Sequence, residues 1–224
     1  MHVLIDGDII GYRIGFSTEE ENEKIVVSRV ATFIETMLWE DLDAETYQGY
    51  LTGSGNFRND IAKTAPYKGN RTAPKPKHLQ FIRDYLVSAW DFQVSVGQEA
   101  DDSIAIEHTT RNHESIIASI DKDFLQLKGS HWNFVKREMT VVTEEEALKN
   151  FYRQVLTGDR VDNIIGLKGI GPVKADKILS ERYSAAEMYL ACVEAYNGDE
   201  ERVIENCRLL HLRRTENEMW ESPR

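Results

Sequence analysis

The chain has 224 residues, of which 41% are hydrophobic and 29% are charged, and its mean hydropathy is −0.47. This length suits one substantial domain or one domain with a small addition, and the composition excludes disordered and fibrous classes. The net charge of −11 argues, taken alone, against a phosphate-bearing partner.

Strand and helix patterns alternate along the first two thirds of the chain. Strands are predicted at residues 3–5, 47–52, 92–96 and 115–120, with a strand or hairpin at 134–142. Helices are predicted around residues 30–38, over 79–90, from Glu99 and from residue 143 onward, and a turn is predicted at Asp6-Gly7-Asp8. This alternation predicts an α/β fold, a mostly parallel sheet flanked by helices, whose ligand site lies beyond the carboxyl ends of the strands. Strand signals end near Phe151, so we predict an α/β domain at 1–150 and a helical subdomain at 151–224.

A short stretch of the chain is strongly basic despite the acidic total. Between residues 54 and 83 a single acid, Asp60, accompanies three prolines, three aromatic residues and seven bases, namely Arg58, Lys63, Lys68, Arg71, Lys75, Lys77 and Arg83. Bases that replace counterions and aromatic faces that stack on nucleobases are typical of a segment that grips a nucleic acid backbone. A solvated linker is the alternative, and composition leaves the choice open.

Four acidic clusters follow predicted strand ends, helix starts or turns. They are Asp6 with Asp8, then Glu99, Asp101 and Asp102, then Asp121 with Asp123, and finally Asp159 with Asp162. Each cluster alone is explained by helix capping, whereas all of them together would repel one another unless a cation joined them. Oxygen ligands without nearby His or Cys favour Mg²⁺ or Mn²⁺, and paired ions suit phosphodiester hydrolysis. From the clusters alone, the sequence predicts a two-metal phosphodiesterase.

Other catalytic patterns are absent from the sequence. The six histidines form no HExxH pair, and the chain has neither a G-x-S-x-G elbow nor a phosphate loop that ends in Gly-Lys-Ser/Thr. His108 and His113 are predicted to lie on solvated surface. No apolar run is long enough to span a bilayer and no leader-like stretch follows Met1, so we expect a cytoplasmic protein without a membrane partner.

A glycine-rich stretch between residues 166 and 175 predicts a tight hairpin that enters a helix at Pro172. Exposed N–H groups at Gly169 and Gly171 would form a seat for a phosphate, since helix starts favour negative charge. Positive charge at this seat comes from Lys168, Lys174 and Lys177. The alternative is an ordinary helix connection, and no strand is predicted before the glycines.

Several motifs resemble those of the 5′ nuclease superfamily, which comprises flap endonucleases and 5′-3′ exonucleases. Residues 158–164 followed by 169–172 resemble its helix-three-turn-helix signature, and 99–102 and 120–124 resemble its two central acidic motifs. Residues 67–71, Tyr-Lys-Gly-Asn-Arg, resemble its helical-arch motif. The closing stretch from Cys207 to Trp220 is similar to the tail of short bacteriophage 5′ exonucleases.

The resemblance implies a PIN-like domain with a basic arch at about 54–83, two Mg²⁺ ions that Mn²⁺ can replace, and 5′-directed hydrolysis of DNA. By motif position, Asp6, Glu99, Asp101 and Asp102 would serve the first ion, and Asp121, Asp123, Asp159 and Asp162 the second. It also implies that Lys68 and Arg71 contact the scissile phosphate, that Tyr67 stacks on an unpaired base, and that K⁺ binds at the hairpin after Asp162. Arg58, Lys63, Lys75 and Lys77 complete the expected DNA contacts, and a monomer is expected.

One position departs from the family pattern. Family members carry an aspartate in the turn after the second strand, where this chain has Gly53. We expect a weakened first metal site with a greater need for metal or a preference for Mn²⁺, unless Asp8 compensates.

The leading hypothesis is a metal-dependent 5′-3′ exonuclease with flap endonuclease or RNA-primer removal activity in DNA replication or recombination. A DNA-structure-binding module of the same fold, catalytically weakened at Gly53, is the alternative. A toxin-like PIN ribonuclease is disfavoured by the chain length and by the helical hairpin after residue 158.

Overall fold

The computed structural model describes residues 1–223, which form two compact units. The sheet unit contains residues 1–55, 73–124 and 129–141. The helical unit contains residues 56–72, 125–128 and those from 142 onward. The basic segment is therefore divided between the units at residue 72.

A six-stranded sheet forms the centre of the sheet unit, in the order β3-β2-β1-β4-β5-β6. Its strands are β1 (His2–Asp6), β2 (Thr46–Thr52), β3 (Gln93–Ser95), β4 (Ser115–Ala118), β5 (Gly129–Asn133) and β6 (Glu138–Val142). The pairs β1/β2, β1/β4, β2/β3 and β4/β5 are all parallel. The predicted mostly parallel α/β sheet is confirmed.

Nine α-helices are present in the described residues. They are α1 (Gly7–Ser17), α2 (Glu23–Glu35), α3 (Arg58–Ile61), α4 (Leu79–Trp90), α5 (Ala100–Thr110), α6 (Glu144–Thr157), α7 (Pro172–Ile178), α8 (Ala185–Ala195) and α9 (Glu200–Leu210). A π-helical turn (Thr36–Asp41) extends α2, and a 3-10 turn (Lys122–Gln126) follows β4. None of these helices combines the length and apolar character needed to cross a membrane.

The core of the sheet unit lies between the sheet and helices α1, α2 and α4. Val3 and Ile5 of β1 pack there with Ile10, Val30 and Leu86. Leu4 is equally buried but lies outside this cluster, because successive strand residues point to opposite faces. Helix α5 packs against β1, β2 and β4. Both faces of the sheet therefore need apolar strand residues, which explains the continuous apolar run of β4.

The helical unit has its own core, built from α6, α8 and α9 with the segment around Tyr67. A small antiparallel hairpin, β7 (Gly158–Asp159) and β8 (Ile164–Ile165), follows α6. Strand β8 directly precedes the glycine-rich stretch, so the prediction that no strand comes before the glycines was wrong. Gly166 and Gly158 approach so closely that a side chain on either would collide with the other's backbone.

Three local predictions need correction or comment. The chain passes directly from β1 into α1, with Asp6 as the N-cap, so no separate turn exists at residues 6–8. His108 is fully buried rather than solvated, and its Nδ1 lies 2.7 Å from the Ser115 hydroxyl. Gly129 makes room for the ring, since a Cβ there would lie 2.8 Å from His108 Nε2. Helix α6 runs without a break through Phe151, where strand signals in the sequence end.

Candidate functional site

Asp6 is the last residue of β1, and its side chain is buried. Its side chain accepts hydrogen bonds from the Ser119 hydroxyl at 2.7 Å and from Ile9 N–H at 3.3 Å. The pKa of Asp6 is raised to about 7, mainly by burial and to a smaller extent by the nearby charges of Asp8 and Asp121, although the hydrogen bond from Ser119 acts to lower it. A cation beside Asp6 would favour the ionised form of its carboxylate.

Asp8 lies in the first turn of α1 and connects three elements of the sheet unit. It accepts a hydrogen bond from Thr52 N–H at the end of β2 at 3.0 Å, and the Arg83 guanidinium of α4 lies 2.6 Å from its other oxygen. Arg83 also donates to the Thr52 carbonyl at 2.5 Å. Asp8 thus lies next to Thr52, which is the last residue of β2 and directly precedes Gly53.

Asp121 and Asp123 follow the carboxyl end of β4. Asp121 N–H donates to the Ser119 hydroxyl at 3.0 Å, and Asp123 N–H donates to the Asp121 carboxylate at 2.9 Å. Ser119 therefore bridges Asp6 and the Asp121 backbone. Both aspartates are half-buried at the start of the 3-10 turn.

The acidic cluster at residues 99–102 forms the start of α5. Glu99 and Asp102 make a capping box, in which the Asp102 carboxylate accepts a bond from Glu99 N–H at 3.1 Å. Asp102 is fully buried, and Asp101 is half-buried beside it. Ala100 N–H donates to the Thr52 hydroxyl at 2.9 Å, which attaches this helix start to the end of β2. Capping therefore occupies at least one oxygen of Asp102.

The structure brings Asp6, Asp8 and Asp121 within electrostatic range at the carboxyl ends of neighbouring strands. Within residues 1–223, no three His, Cys, Asp or Glu side chains are close enough to ligate one metal ion as they stand. The donor set consists of hard carboxylate oxygens, which suit a divalent ion. Burial is the main cause of the raised pKa of Asp6, and a divalent ion would offset the smaller effect of the charges of Asp8 and Asp121. The chemistry of these residues fits such an ion.

Gly53 lies where two backbone segments meet. Its N–H donates to the Ser95 carbonyl at 2.8 Å, and a Cβ at this position would collide with that same carbonyl oxygen. A carboxylate therefore cannot be placed here without displacing the end of β3. At the position where the family pattern has an aspartate, the glycine of this chain lies directly against the end of β3.

We expect Gly53→Asp to lower the free energy of unfolding by about 1–3 kcal/mol, because the new Cβ overlaps a backbone oxygen. Denaturant unfolding measures this loss. Ser54→Asp is the matched control, since it adds the same carboxylate one residue later on an exposed side chain. Equal stability of the two variants would contradict the close contact, and any metal titration of Gly53→Asp must be corrected for its folded fraction.

In the helical unit, Asp162 is the centre of a charged cluster. Its carboxylate accepts hydrogen bonds from Arg71 at 2.7 Å and from the Tyr67 hydroxyl at 2.8 Å, and Lys68 Nζ lies 3.6 Å away. Asp159 is buried and accepts bonds from Val161 and Asp162 N–H at 2.6 and 3.2 Å. Lys68, Arg71 and Asp162 are thus brought together as an ion cluster.

Two residues expected to contact DNA have other roles in the structure. Arg58 is 2% exposed, and its guanidinium donates to the carbonyls of Leu209 and His211, both at 2.8 Å. Tyr67 is 8% exposed and packs in the core of the helical unit. Arg58 is corrected from a DNA contact to an internal anchor. The expected stacking of Tyr67 on a base is corrected too, because its ring is already covered by protein.

The remaining basic residues point to solvent. The exposed lysines are Lys63, Lys75, Lys77, Lys168, Lys174 and Lys177. Gly171 is the N-cap of α7 and Pro172 its first residue, as predicted. Gly169 has a φ of +80°, a left-handed conformation that favours glycine, and its carbonyl accepts a bond from Lys174 Nζ at 2.8 Å. The hairpin presents Gly169 and Gly171 at the surface.

Sequence reasoning missed two residues that contact the acidic side chains, Arg83 beside Asp8 and Ser119 beside Asp6. Arg83 is one of the bases of the basic segment, but its partner Asp8 lies 75 positions away in the chain, so the sequence did not indicate the pair. Ser119 carried one signal, its place between the apolar run of β4 and Asp121.

Comparison with known proteins assigns the chain to a family. Residues 1–153 match the model of the 5′-3′ exonuclease N-terminal resolvase-like domain. The chain belongs to the 5′-3′ exonuclease family. It is therefore a nuclease, and the predicted membership in the 5′ nuclease superfamily is confirmed.

Relatives agree over most of the chain. A 5′-3′ exonuclease of Mycoplasma genitalium is 29% identical over 84% of this chain and 74% of its own length. DNA polymerase I of Bacillus caldotenax is 27% identical over 88% of this chain, which spans only 25% of that polymerase. The crystal structure of the T5 D15 protein with metal ions superposes with a TM-score of 0.75 at 20% identity, covering 94% of this chain and 89% of that one. This last likeness confirms the fold.

Proposed function

We propose that this exonuclease-family chain is a divalent-metal-dependent 5′-3′ exonuclease that hydrolyses phosphodiester bonds at the 5′ ends of duplex DNA. The proposal extends to 5′ flaps and RNA primers in replication or recombination, and to a monomeric enzyme. One observation carries it, namely that Asp6, Asp8 and Asp121 gather at the carboxyl ends of neighbouring parallel strands. The T5 D15 flap endonuclease has been crystallised with DNA and metal ions, which supports both the substrate class and the cofactor.

Carboxylates of the sheet unit would hold the ions. Asp6, Asp8 and Asp121 are the central ligands in this proposal, and Glu99, Asp101, Asp102 and Asp123 surround them. Two Mg²⁺ or Mn²⁺ ions, when bound, supply an activated water and stabilisation of the leaving oxygen. Ser119 orients Asp6 through its hydroxyl, and Arg83 holds Asp8 at the end of β2. These neighbours fix the direction in which the carboxylates point.

The helical unit would bind the phosphates. Lys68 and Arg71 donate to the scissile phosphate in this proposal and offset the charge that develops on its oxygens. For this they must exchange Asp162, their present partner, for the phosphate, while Asp159 and Asp162 become available to a cation. The exposed lysines and the hairpin at Gly169 and Gly171 contact the duplex backbone, with K⁺ as a further ion at the hairpin.

A substrate panel tests this function. Blunt duplex, 5′-flap and RNA-primed DNA, each labelled at the 5′ or the 3′ end, are incubated with Mg²⁺ or Mn²⁺, and the released products are sized. We expect short products from the 5′ end only, and none in EDTA. Release from the 3′ end would contradict the polarity. Binding of flap DNA without any cleavage would favour the alternative of a DNA-structure-binding module.

Lys68→Met should lower kcat by about 10²- to 10³-fold, because the variant loses a charge that stabilises the transition state. Methionine keeps most of the apolar stem, so folding is little affected. Lys24→Met, an exposed lysine of α2, is the matched control and should cleave at the wild-type rate. Single-turnover kinetics measures both. Equal rates in the two variants would remove Lys68 from the catalytic proposal.

A further inference from the structure

Glu205, on α9, joins the helical unit's last helix to the beginning of the basic segment. One carboxylate oxygen accepts bonds from Lys63 N–H and Thr64 N–H, both at 2.8 Å. The other oxygen accepts bonds from the Thr64 hydroxyl at 2.7 Å and from Arg202 at 3.0 Å. Four donors thus converge on one carboxylate that is 9% exposed.

The chemistry of this contact is that of a strong anchor. Bonds to an ionised acceptor are shorter and stronger than bonds between neutral groups. Burial raises the pKa of the Glu205 carboxyl, but the hydrogen bonds from Thr64 and Lys63 and the charge of Arg202 outweigh it, so the pKa lies below its usual value. The carboxylate is therefore ionised at neutral pH and holds two consecutive backbone amides of the segment.

A second set of bonds holds the same segment a few residues later. Asn163 donates to the Pro66 carbonyl at 2.9 Å, Lys68 N–H donates to the Asp162 carbonyl at 2.9 Å, and Asn70 donates to the Arg160 carbonyl at 2.7 Å. The stretch from residue 63 to residue 70 is consequently held at both ends.

Lys68 lies within the second set of bonds and has an unfavourable backbone conformation. Its φ is +54°, in the left-handed region that side-chain-bearing residues rarely adopt. Such a conformation persists only where surrounding contacts over-determine it. The anchors therefore determine the direction in which the Lys68 side chain leaves the backbone.

We propose that Glu205 is a positioning residue, which holds residues 63–64 so that Lys68 and Arg71 are pre-organised for the scissile phosphate. This inference rests on the proposed function. Pre-organisation matters because a displacement of reacting groups by about 1 Å can lower the rate by about 10²-fold. Glu205 itself touches neither substrate nor the reacting atoms in this proposal.

Two substitutions weaken the anchor to different degrees. Glu205→Gln removes the charge and replaces one acceptor oxygen by an amide donor that faces other donors. Thr64→Val removes only the hydroxyl bond and keeps the shape of the side chain. Glu201→Gln is the matched control, because Glu201 lies one turn earlier on α9 and is exposed. Thermal unfolding identifies any variant that fails to fold. If Glu205→Gln fails to fold, the proposal is tested with Thr64→Val.

Hydrogen exchange and steady-state kinetics are the two measurements. We expect Glu205→Gln to exchange faster than wild type in peptides covering residues 62–72, with little change in α6 and α8, and to lower kcat by about 10- to 100-fold at nearly unchanged KM for duplex DNA. Thr64→Val should change the exchange rate at residues 62–72 and kcat in the same directions but by smaller amounts. Glu201→Gln should change neither quantity. A purely structural role would spread the exchange over the whole helical unit.

Unchanged exchange at residues 62–72 in a folded Glu205→Gln protein overturns the inference. So does a KM effect without a kcat effect, since that would mean Glu205 serves DNA binding only. Wild-type protein that cleaves no DNA overturns the proposed function, and the positioning role with it, even when exchange shows that the anchor exists. Cleavage by the wild type together with local exchange and a kcat loss in the variant supports both.

Discussion

Replacing Asp121 by asparagine should lower the rate of nucleotide release from a 5′-labelled duplex by about 10²- to 10³-fold. Asp121 lies at the end of β4, where its charge acts on buried Asp6, and the proposed function needs that charge to hold a divalent ion. Asparagine keeps an oxygen that can accept the bond from Asp123 N–H, so the local turn should persist. The loss is therefore expected in catalysis rather than in folding.

The control for Asp121→Asn is Asp91→Asn, the same acid-to-amide change in the same unit. Asp91 is exposed and ends α4 with a φ of 53°, a conformation that asparagine adopts readily. The Asp91→Asn variant should cleave DNA at the wild-type rate. Isothermal titration with Mn²⁺ gives a second readout, in which Asp121→Asn should bind the ion more weakly. If Asp121→Asn cleaves and binds Mn²⁺ like wild type, the acidic cluster is not the metal site.

Replacing Arg58 by methionine should lower the free energy of unfolding by about 2–4 kcal/mol, because the carbonyls of Leu209 and His211 lose their donor. An unpaired carbonyl in a buried position costs about 1–3 kcal/mol. The guanidinium groups of Arg58 and Arg213 also lie over the ring of Phe57, at 4.6 and 3.7 Å from its centroid. The substitution therefore disturbs a packed cluster as well as two hydrogen bonds.

Denaturant unfolding tests the Arg58 prediction, and Arg160→Met serves as its control. Arg160 is an exposed arginine of the same unit, so its loss should change stability by no more than about 0.5 kcal/mol. The original expectation for Arg58, a phosphate contact, makes the opposite prediction. In that case Arg58→Met would keep its stability and reduce the salt dependence of DNA binding by about one released counterion.

Much of the architecture was predictable because it depends on near neighbours in the chain. Helix α4 begins and ends at the predicted residues, and α6 begins where predicted, with Thr143 and Glu146 forming a capping box. Strands β1, β2 and β4 occupy the predicted stretches within a residue or two. Periodicity of apolar residues and capping chemistry are local properties, so a single sequence carries them. Motif order along the chain likewise carried the family assignment.

Residue roles that depend on burial were less predictable. Arg58 and Tyr67 lie in a basic, proline-rich stretch and were expected at the DNA interface, yet both are buried. Composition describes the segment as a whole, whereas the partner of each side chain depends on what packs against it. His108 shows the same difficulty, since its polar neighbours in sequence gave no sign of the buried Ser115 that it contacts.

The sequence alone was enough to establish the α/β class, the order of the acidic motifs and the family, since these follow from patterns within a few residues. The fold was needed to pair Asp8 with Arg83, Arg58 with the Leu209 carbonyl and Glu205 with Thr64, which are 75, 151 and 141 positions apart. It also showed that the space beside Gly53 is taken by Ser95. The physical reason is that hydrogen bonding and exclusion of atoms depend on distance in space, and chain separation says little about that distance until the sheet and helices have packed.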